Sequence, residues 1–233
     1  MVSKIFRKLS GIWKDSSKKQ NQRTLIKLTQ PSVELVVVNP VTVTAINYAA
    51  RTCYKSLMPK DDEKQKQFVL NLIKNKHETP LEFADITFTV VCSRDIANEI
   101  VRHRLASYQQ ESQRYVKYEE ELPIIIPEDL DPYGKEQLFY FIRDIAKVYC
   151  DLRKKNKPEI ARAVLPNCTA TKLVVKMNLR ELRHFIKLRS DKAAHPEMRR
   201  IIKLLYNILP DNYKELVKDC YAPNITESNR TKD

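Results

Sequence analysis

Residues 102–118 read R-H-R-L-A-S-Y-Q-Q-E-S-Q-R-Y-V-K-Y, with no glycine or proline. The run sets Arg102, Arg104 and Arg114 beside His103, Ser107, Gln109, Gln110 and Ser112. Guanidinium groups bind phosphate or carboxylate through paired hydrogen bonds and stay charged when desolvated. Hydroxyl and amide groups between them can complete the shell around a phosphate or a nucleobase. Such a segment is an anion site that needs no glycine-rich loop. The plainer reading is a solvated basic helix end, its cations stacked on Tyr108 and Tyr115. Residue types alone leave both open.

Composition narrows the ligand. The 233-residue chain has two glycines, Gly11 and Gly134. The G-x-G-x-x-G and Walker A fingerprints are therefore both excluded, and any nucleotide must be held by cationic side chains or helix ends. Lys and Arg number 42 against 29 Asp and Glu, a formal charge of +13. That balance attracts nucleic acid, anionic surfaces or phosphorylated small molecules. Residues 1–30 carry eight cations against Asp15, about half the excess, so much of it is a terminal feature. Five cysteines with no C-x-x-C pair argue against a disulfide scaffold or zinc ribbon and suit a reducing cytoplasm, the expected location. The four histidines form no H-E-x-x-H, and no metal is expected. No run approaches ~18 apolar residues, so no membrane span is expected. No long apolar stretch of signal-peptide type opens the sequence.

Arg102-His103-Arg104, seven residues and then Ser112 form the pattern R-H-R-x7-S, followed by Gln113-Arg114-Tyr115. Upstream stands His77-Glu78-Thr79-Pro80-Leu81-Glu82-Phe83; downstream stand Ala161-Arg162-Ala163-Val164-Leu165-Pro166 and Asn178-Leu179-Arg180 through His184 to Leu188-Arg189. In these four ordered blocks, spread over about residues 33–205, the chain resembles the flavin-dependent thymidylate synthases. The resemblance implies that family's fold, with a central mixed, partly antiparallel sheet flanked by helices. It implies a homotetramer whose active sites are shared between subunits. The implied reaction is a methyl transfer converting dUMP to dTMP. Methylenetetrahydrofolate is the one-carbon donor, and FAD, reduced by NADPH, is the redox cofactor.

Methylating carbon 5 of uracil needs electron density at that carbon. A fixed cation beside the ring stabilises the enolate formed when ring nitrogen 3 loses its proton. Arg189 matches the family arginine with this catalytic role; its plainer alternatives are a helix-surface arginine or a salt bridge to Asp191. Around dUMP the resemblance implies Glu99, Arg102, Gln110, Glu111, Ser112 and Gln113. It adds Arg114 at the phosphate, Arg162 and Arg189 itself. Ser112 is assigned to binding, because an unassisted hydroxyl is a poor nucleophile and no general base stands in the motif. Around FAD it implies Arg102, His103 and Arg104, with His77, Thr79 and Glu82 near flavin and folate. Cys53, Gln110, Asn178, Arg180 and His184 complete the flavin set.

The chain departs from the family pattern at Gln109-Gln110, where Asn-Glu is frequent, and at Glu99, where a glutamine is frequent. Cys53 stands in place of a serine and is a weaker donor. The alternative from another class is a basic nucleic-acid-binding protein using the arginine cluster for phosphates. It accounts for the charge but not for four ordered blocks. A flavoprotein that has lost methylation is a third reading. Yellow colour in the purified protein separates the flavoproteins from the nucleic-acid binder.

The elements that must carry these residues follow from periodicity. Val33–Val38 is a short apolar strand ended by Asn39-Pro40, Ala84–Cys92 alternates as a strand, and 168–177 is β-rich. Helices are predicted over 41–50, 62–76, 134–155, 158–165, 179–189, 196–208 and 211–220. Phe68, Val69, Leu72 and Ile73 should bury one helix. Leu138, Phe141, Ile142, Ile145, Val148, Tyr149 and Leu152 should bury the long one. Ser93 is expected to cap a helix reaching Arg102 or Arg104. Leu122–Ile126 is a short apolar run. Interspersed strands and helices give a mixed α/β or α+β class in one domain. Residues 31–223 are expected to be that domain. Residues 1–30, where Ile5, Phe6, Leu9, Ile12 and Trp13 share a helical face, are expected to be a flexible, dispensable extension. Residues 224–233 are expected to be a polar tail.

Overall fold

Alternating apolar and polar residues over 85–93 and 170–178 make the two inner strands of the main sheet. A computed structural model describes residues 26–38, 42–118 and 121–221. Its strands are β1 (Ile26–Leu28), β2 (Ser32–Val38), β3 (Asp85–Ser93), β4 (Ala106–Gln110), β5 (Leu122–Ile124) and β6 (Ala170–Asn178). The four-stranded sheet has the order β2-β3-β6-β4 and is antiparallel throughout. Parallel pairing is confined to a separate ribbon of β1 and β5. Register puts Ile86 opposite Met177, Phe88 opposite Val175 and Val90 opposite Leu173, all on the buried face. Lys172, Val174 and Lys176 point to the other side.

The helices are α1 (Thr42–Thr52), α2 (Asp62–Lys74), α3 (Arg94–Ile100), α4 (Pro132–Lys155), α5 (Pro158–Ala161), α6 (Leu179–Arg189), α7 (Pro196–Ile208) and α8 (Asp211–Val217). Several starts follow capping chemistry: Asp61 accepts from Lys64 N, Asp131 from Gly134 N, and Asn178 from Glu181 N. Two apolar clusters result. The larger joins the buried sheet face to α6, α7 and α8. The smaller joins Ile26, Leu122 and Ile124 to Ile142, Ala146 and Tyr149 of α4.

Several expectations need correction. Residues 26–28 were assigned to the extension, yet they form β1, and Ile26 is buried in the smaller cluster. The helix after Ser93 stops at Ile100, short of Arg102. Ser93 sits at the cap position but makes no capping bond; its N–H and hydroxyl both donate to Glu197, at 2.8 and 2.6 Å. The carbonyl of Asn167 closes that helix start instead, accepting from Arg94 and Asp95. Of the expected α2 stripe only Val69 is fully buried, while Phe68 carries the Arg51 guanidinium over its ring at 4.2 Å. On α4 the chain buries Ile142, Ala146 and Tyr149, leaving Phe141 63% and Val148 49% exposed. The apolar arc of that helix is therefore only partly buried. The Ile5–Trp13 face, the rest of residues 1–25 and the 224–233 tail lie outside the described residues.

None of the five cysteines forms a disulfide. Burial pushes the Cys168 and Cys220 thiols up to about 11 and raises Cys92 as well, so these three are poor nucleophiles. Among the described residues no helix is long and apolar enough to cross a membrane.

A chain lacking residues 1–30 is expected to be less stable than one lacking 1–25 by about 1.5–3 kcal/mol, because only the former loses buried Ile26. Equal urea midpoints for the two truncations would show that β1 adds nothing. Phe88→Ala, in the middle of the buried sheet face, is expected to cost about 3–5 kcal/mol in the same assay. A loss near zero would contradict the packing described.

Candidate active site

Helical periodicity places Glu181, Phe185 and Arg189 four residues apart on one face of α6. Glu181 and Phe185 are buried, and the Arg189 side chain is 18% exposed. This face meets His103, which is 5% exposed. The imidazole packs edge-on against Phe185, with ring centroids 4.8 Å apart. Its Nδ1 lies 2.8 Å from Glu181 Oε1, and its Nε2 lies 3.1 Å from Arg189 Nε.

These contacts define the protonation state of His103. Arg189 Nε–H can only donate, so His103 Nε2 must accept and carry no proton. Nδ1 then holds the ring's single proton and donates it to Glu181. The pKa of His103 is lowered accordingly: burial disfavours the imidazolium, and the Arg189 charge adds to this against the opposing pull of Glu181. Arg189 is gripped further by Glu99, with Nη1 donating to the carboxylate at 2.8 Å and Nη2 to the backbone carbonyl at 3.2 Å. Three of its five N–H donors are thus used, leaving the remainder for a ligand. Its salt-bridge partner is Glu99, not Asp191, which instead accepts from Ala193 N.

The turn that delivers His103 has no glycine. It is closed by Tyr108 on β4, whose hydroxyl reaches the carbonyls of Ile100 at 3.0 Å and His103 at 2.5 Å. Those carbonyls would otherwise extend α3, which explains why the helix ends early. Burial pushes the Tyr108 phenol up to about 12, so it remains a donor. The turn leaving α3, closed by the His103 N–H on the Ile100 carbonyl at 3.1 Å, buries His103 and leaves Arg102 and Arg104 exposed on either side.

The other candidates occupy distinct environments. Gln110 donates to Thr171 at 3.4 Å, on the buried side of the sheet. Arg94 donates to the Glu111 carbonyl at 3.2 Å, and the Tyr118 hydroxyl donates to the Glu111 carboxylate at 2.7 Å. Ser112 Oγ accepts from Arg114 N at 3.3 Å, and Gln113 is half-buried. Arg114 is exposed, with its guanidinium 5.8 Å from the Tyr115 ring centroid. Thr79 and Glu82 stand on a 3-10 turn, Thr79–Phe83, which follows exposed His77. Arg180 bridges Glu82 at 2.7 Å and Glu78 at 3.6 Å, tying that turn to α6. Asn178 spends its oxygen capping α6. His184 is exposed, 5.5 Å ring to ring from His103. Cys53 is exposed after α1. Arg162 is exposed on the 3-10 turn Arg162–Val164, beside the smaller cluster.

The structure therefore joins Glu99, His103 and Arg189 directly. Among the described residues no hydrogen bond or ion pair links Arg162, Arg114 or Cys53 to that group. Sequence reasoning missed Glu181, Arg94 and Tyr118. Glu181 follows Asn178 by three residues and reads as a capping-box acid; the 181/185/189 spacing was the signal that could have found it. His103, Glu181 and His184 bring ligand atoms within 4.8 Å of one another. Of these three, His103 and Glu181 are hydrogen-bonded to each other, and His184 meets His103 ring to ring at 5.5 Å.

Comparison with known proteins extends this geometry. The family model described as "Thymidylate synthase complementing protein" matches residues 34–212. The flavin-dependent thymidylate synthase of Nitratidesulfovibrio vulgaris is 30% identical over 212 residues, covering 81% of this chain and 86% of that one. That of Thermococcus onnurineus is 41% identical over 130 residues, 53% of each chain. The crystal structure of the Helicobacter pylori flavin-dependent thymidylate synthase, complexed with FAD and dUMP, superposes with a TM-score of 0.71 at 23% identity. It covers 82% of this chain and all of the other, and attests the fold. A UMP/dUMP methylase from Streptomyces cacaoi, bound with 5-Br dUMP, gives a TM-score of 0.69 at 24% identity, covering 83% and 97%.

The neutral state of His103 has a measurable consequence. Its folded pKa lies below the ordinary 6.5, so an unfolded chain takes up the proton first as pH falls. The stability it contributes is complete above about 6.5 and declines as pH drops toward the folded pKa. Urea unfolding from pH 8 to 5 should show this decline in the wild type and a shallower one in His103→Gln. Identical slopes would mean that His103 is not held neutral.

Proposed function

Because the chain belongs to the flavin-dependent thymidylate synthase family, we propose that it makes dTMP from dUMP by reductive methylation. The one-carbon donor in this reading is methylenetetrahydrofolate. The reported relatives give no support to the nucleic-acid-binding alternative.

The observation that carries the reading is Arg189. It is a mostly buried guanidinium, oriented from two directions by Glu99 and His103, with donors left over. Held beside a pyrimidine, it would stabilise the negative charge left when ring nitrogen 3 gives up its proton, and so enrich carbon 5. A preorganised cation needs no reorganisation as that charge develops. Glu99 meets the guanidinium with a full negative charge where a glutamine is frequent in the family. It aligns Arg189 more firmly and also offsets part of its field.

The residues present suit FAD and a nucleotide monophosphate. Arg102, Arg104, Arg114 and Arg162 are exposed, and among the described residues none has a carboxylate partner. They can offer paired donors to phosphate groups without a glycine loop. In this reading Arg114, Ser112 and Arg162 hold dUMP, while Arg102 and Arg104 hold the flavin nucleotide. His77, Thr79 and the Glu82–Arg180 pair border flavin and folate. When bound, the flavin, reduced by NADPH, supplies the electron pair that turns the transferred carbon into a methyl group. Assembly as a homotetramer with shared sites is supported by the exposed Phe141 and Val148 on α4 and by Arg162 standing apart from Arg189. Cysteines that form no disulfide suit a cytoplasmic enzyme.

Arg189→Ala is expected to lower dTMP formation by at least about tenfold, since a desolvated charged contact is worth about 1.5–3 kcal/mol. Flavin content should stay near that of the wild type. Tritium release from labelled dUMP and flavin absorbance measure the two. Loss of flavin in proportion to activity would place Arg189 at the cofactor and overturn its role at the pyrimidine.

A further inference from the structure

We infer that Glu181 is a positioning residue for Arg189, acting through the tautomer of His103. The inference rests on the proposed role of Arg189 at the pyrimidine but is read from contacts that role does not require.

Glu181 is 5% exposed and on the same helix face as Arg189, about two turns toward the start of α6. Its backbone N–H donates to Asn178 Oδ1, one half of a capping box, while its carboxylate turns to a residue outside the helix. The carboxylate reaches His103 Nδ1 at 2.8 Å. A neutral imidazole has one proton and two possible sites for it. With an acceptor at Nδ1, the proton stays there and Nε2 presents its lone pair to Arg189 Nε at 3.1 Å. Without that acceptor, the Nε2–H tautomer becomes competitive and sets a donor against a donor. Arg189 must then turn away from His103, and its grip narrows to Glu99 alone. Phe185 packs edge-on against the imidazole and helps hold the ring in place. The arrangement thus selects one of two nearly equal tautomers and converts that choice into the direction of a guanidinium.

Two variants separate reach from charge in the flavin-loaded enzyme. Glu181→Gln keeps an oxygen at the same reach and loses the charge. Glu181→Asp keeps the charge and draws the oxygen back by one methylene. If Glu181 acts by fixing the tautomer, the Gln variant holds kcat within about threefold of the wild type. The Asp variant and Glu181→Leu lose roughly ten- to hundredfold, the scale of a misplaced catalytic group. The loss falls on kcat more than on the KM for dUMP, with flavin content unchanged. Placed on Arg189→Ala, Glu181→Asp adds little further loss, because the residue it serves is already gone. Additive losses, or a Gln variant as poor as the Asp variant, would overturn the proposal by assigning Glu181 a structural or purely electrostatic role. A crystal structure of Glu181→Asp in which Arg189 keeps both its His103 and Glu99 contacts would overturn it whatever the wild type's activity. An inactive, flavin-free wild type would count against the enzymatic reading instead, leaving that crystallographic test of the tautomer intact.

Discussion

The site depends on one desolvated imidazole kept neutral between an acid and a base. His103 lies under the protein surface with Glu181 on one nitrogen and Arg189 on the other. Burial makes a charged ring expensive, so the proton count is one, and the two neighbours decide where it sits. From that follow the direction of Arg189, its pairing with Glu99, and the need for α6 to present residues 181, 185 and 189 along one line. The early end of α3 serves the same arrangement. Tyr108 takes the carbonyls of Ile100 and His103 and lets the chain leave the helix just where the ring must turn inward.

In the proposed reading, anion recognition is arranged around this centre without any glycine loop. Arg102 and Arg104 flank the buried histidine and point outward, so one short turn supplies both a cation-aligning ring and exposed guanidinium groups. Exposed arginines remain available because the local acids are committed elsewhere. Glu82 and Glu78 pair with Arg180, Glu99 pairs with Arg189, and Glu111 accepts from Tyr118. The formal excess of positive charge therefore has a local meaning in the folded part beyond the terminal lysines.

The packing divides into a sheet-centred cluster that carries Glu99, His103 and Arg189 and a smaller cluster around α4 that carries Arg162 nearby. The antiparallel sheet is covered by helices on one face, while Lys172, Val174 and Lys176 remain open on the other. Phe141 and Val148 on α4 are likewise exposed. These surfaces are the ones the proposed assembly with shared sites would cover.

Much of the local structure was legible in the sequence. Alternation marked β3 and β6, the cap and periodicity of α6 gave its bounds as 179–189, and ordered motif blocks named the family. These signals are local, carried by residues a few positions apart. Three things were not legible. The β4 strand hid in a polar run, because its partner is β6, more than sixty residues away in sequence. β1 hid among terminal lysines, because three residues make a strand only when β5 lies alongside. Glu181 looked like a capping acid until His103 was brought against it from 78 residues away. Tautomer, ion-pair choice and burial depend on neighbours distant in the chain, and only the tertiary structure supplies them. Residue types determined that an anion site could exist; the fold decided which arginine would be buried, aligned and left with donors to spare.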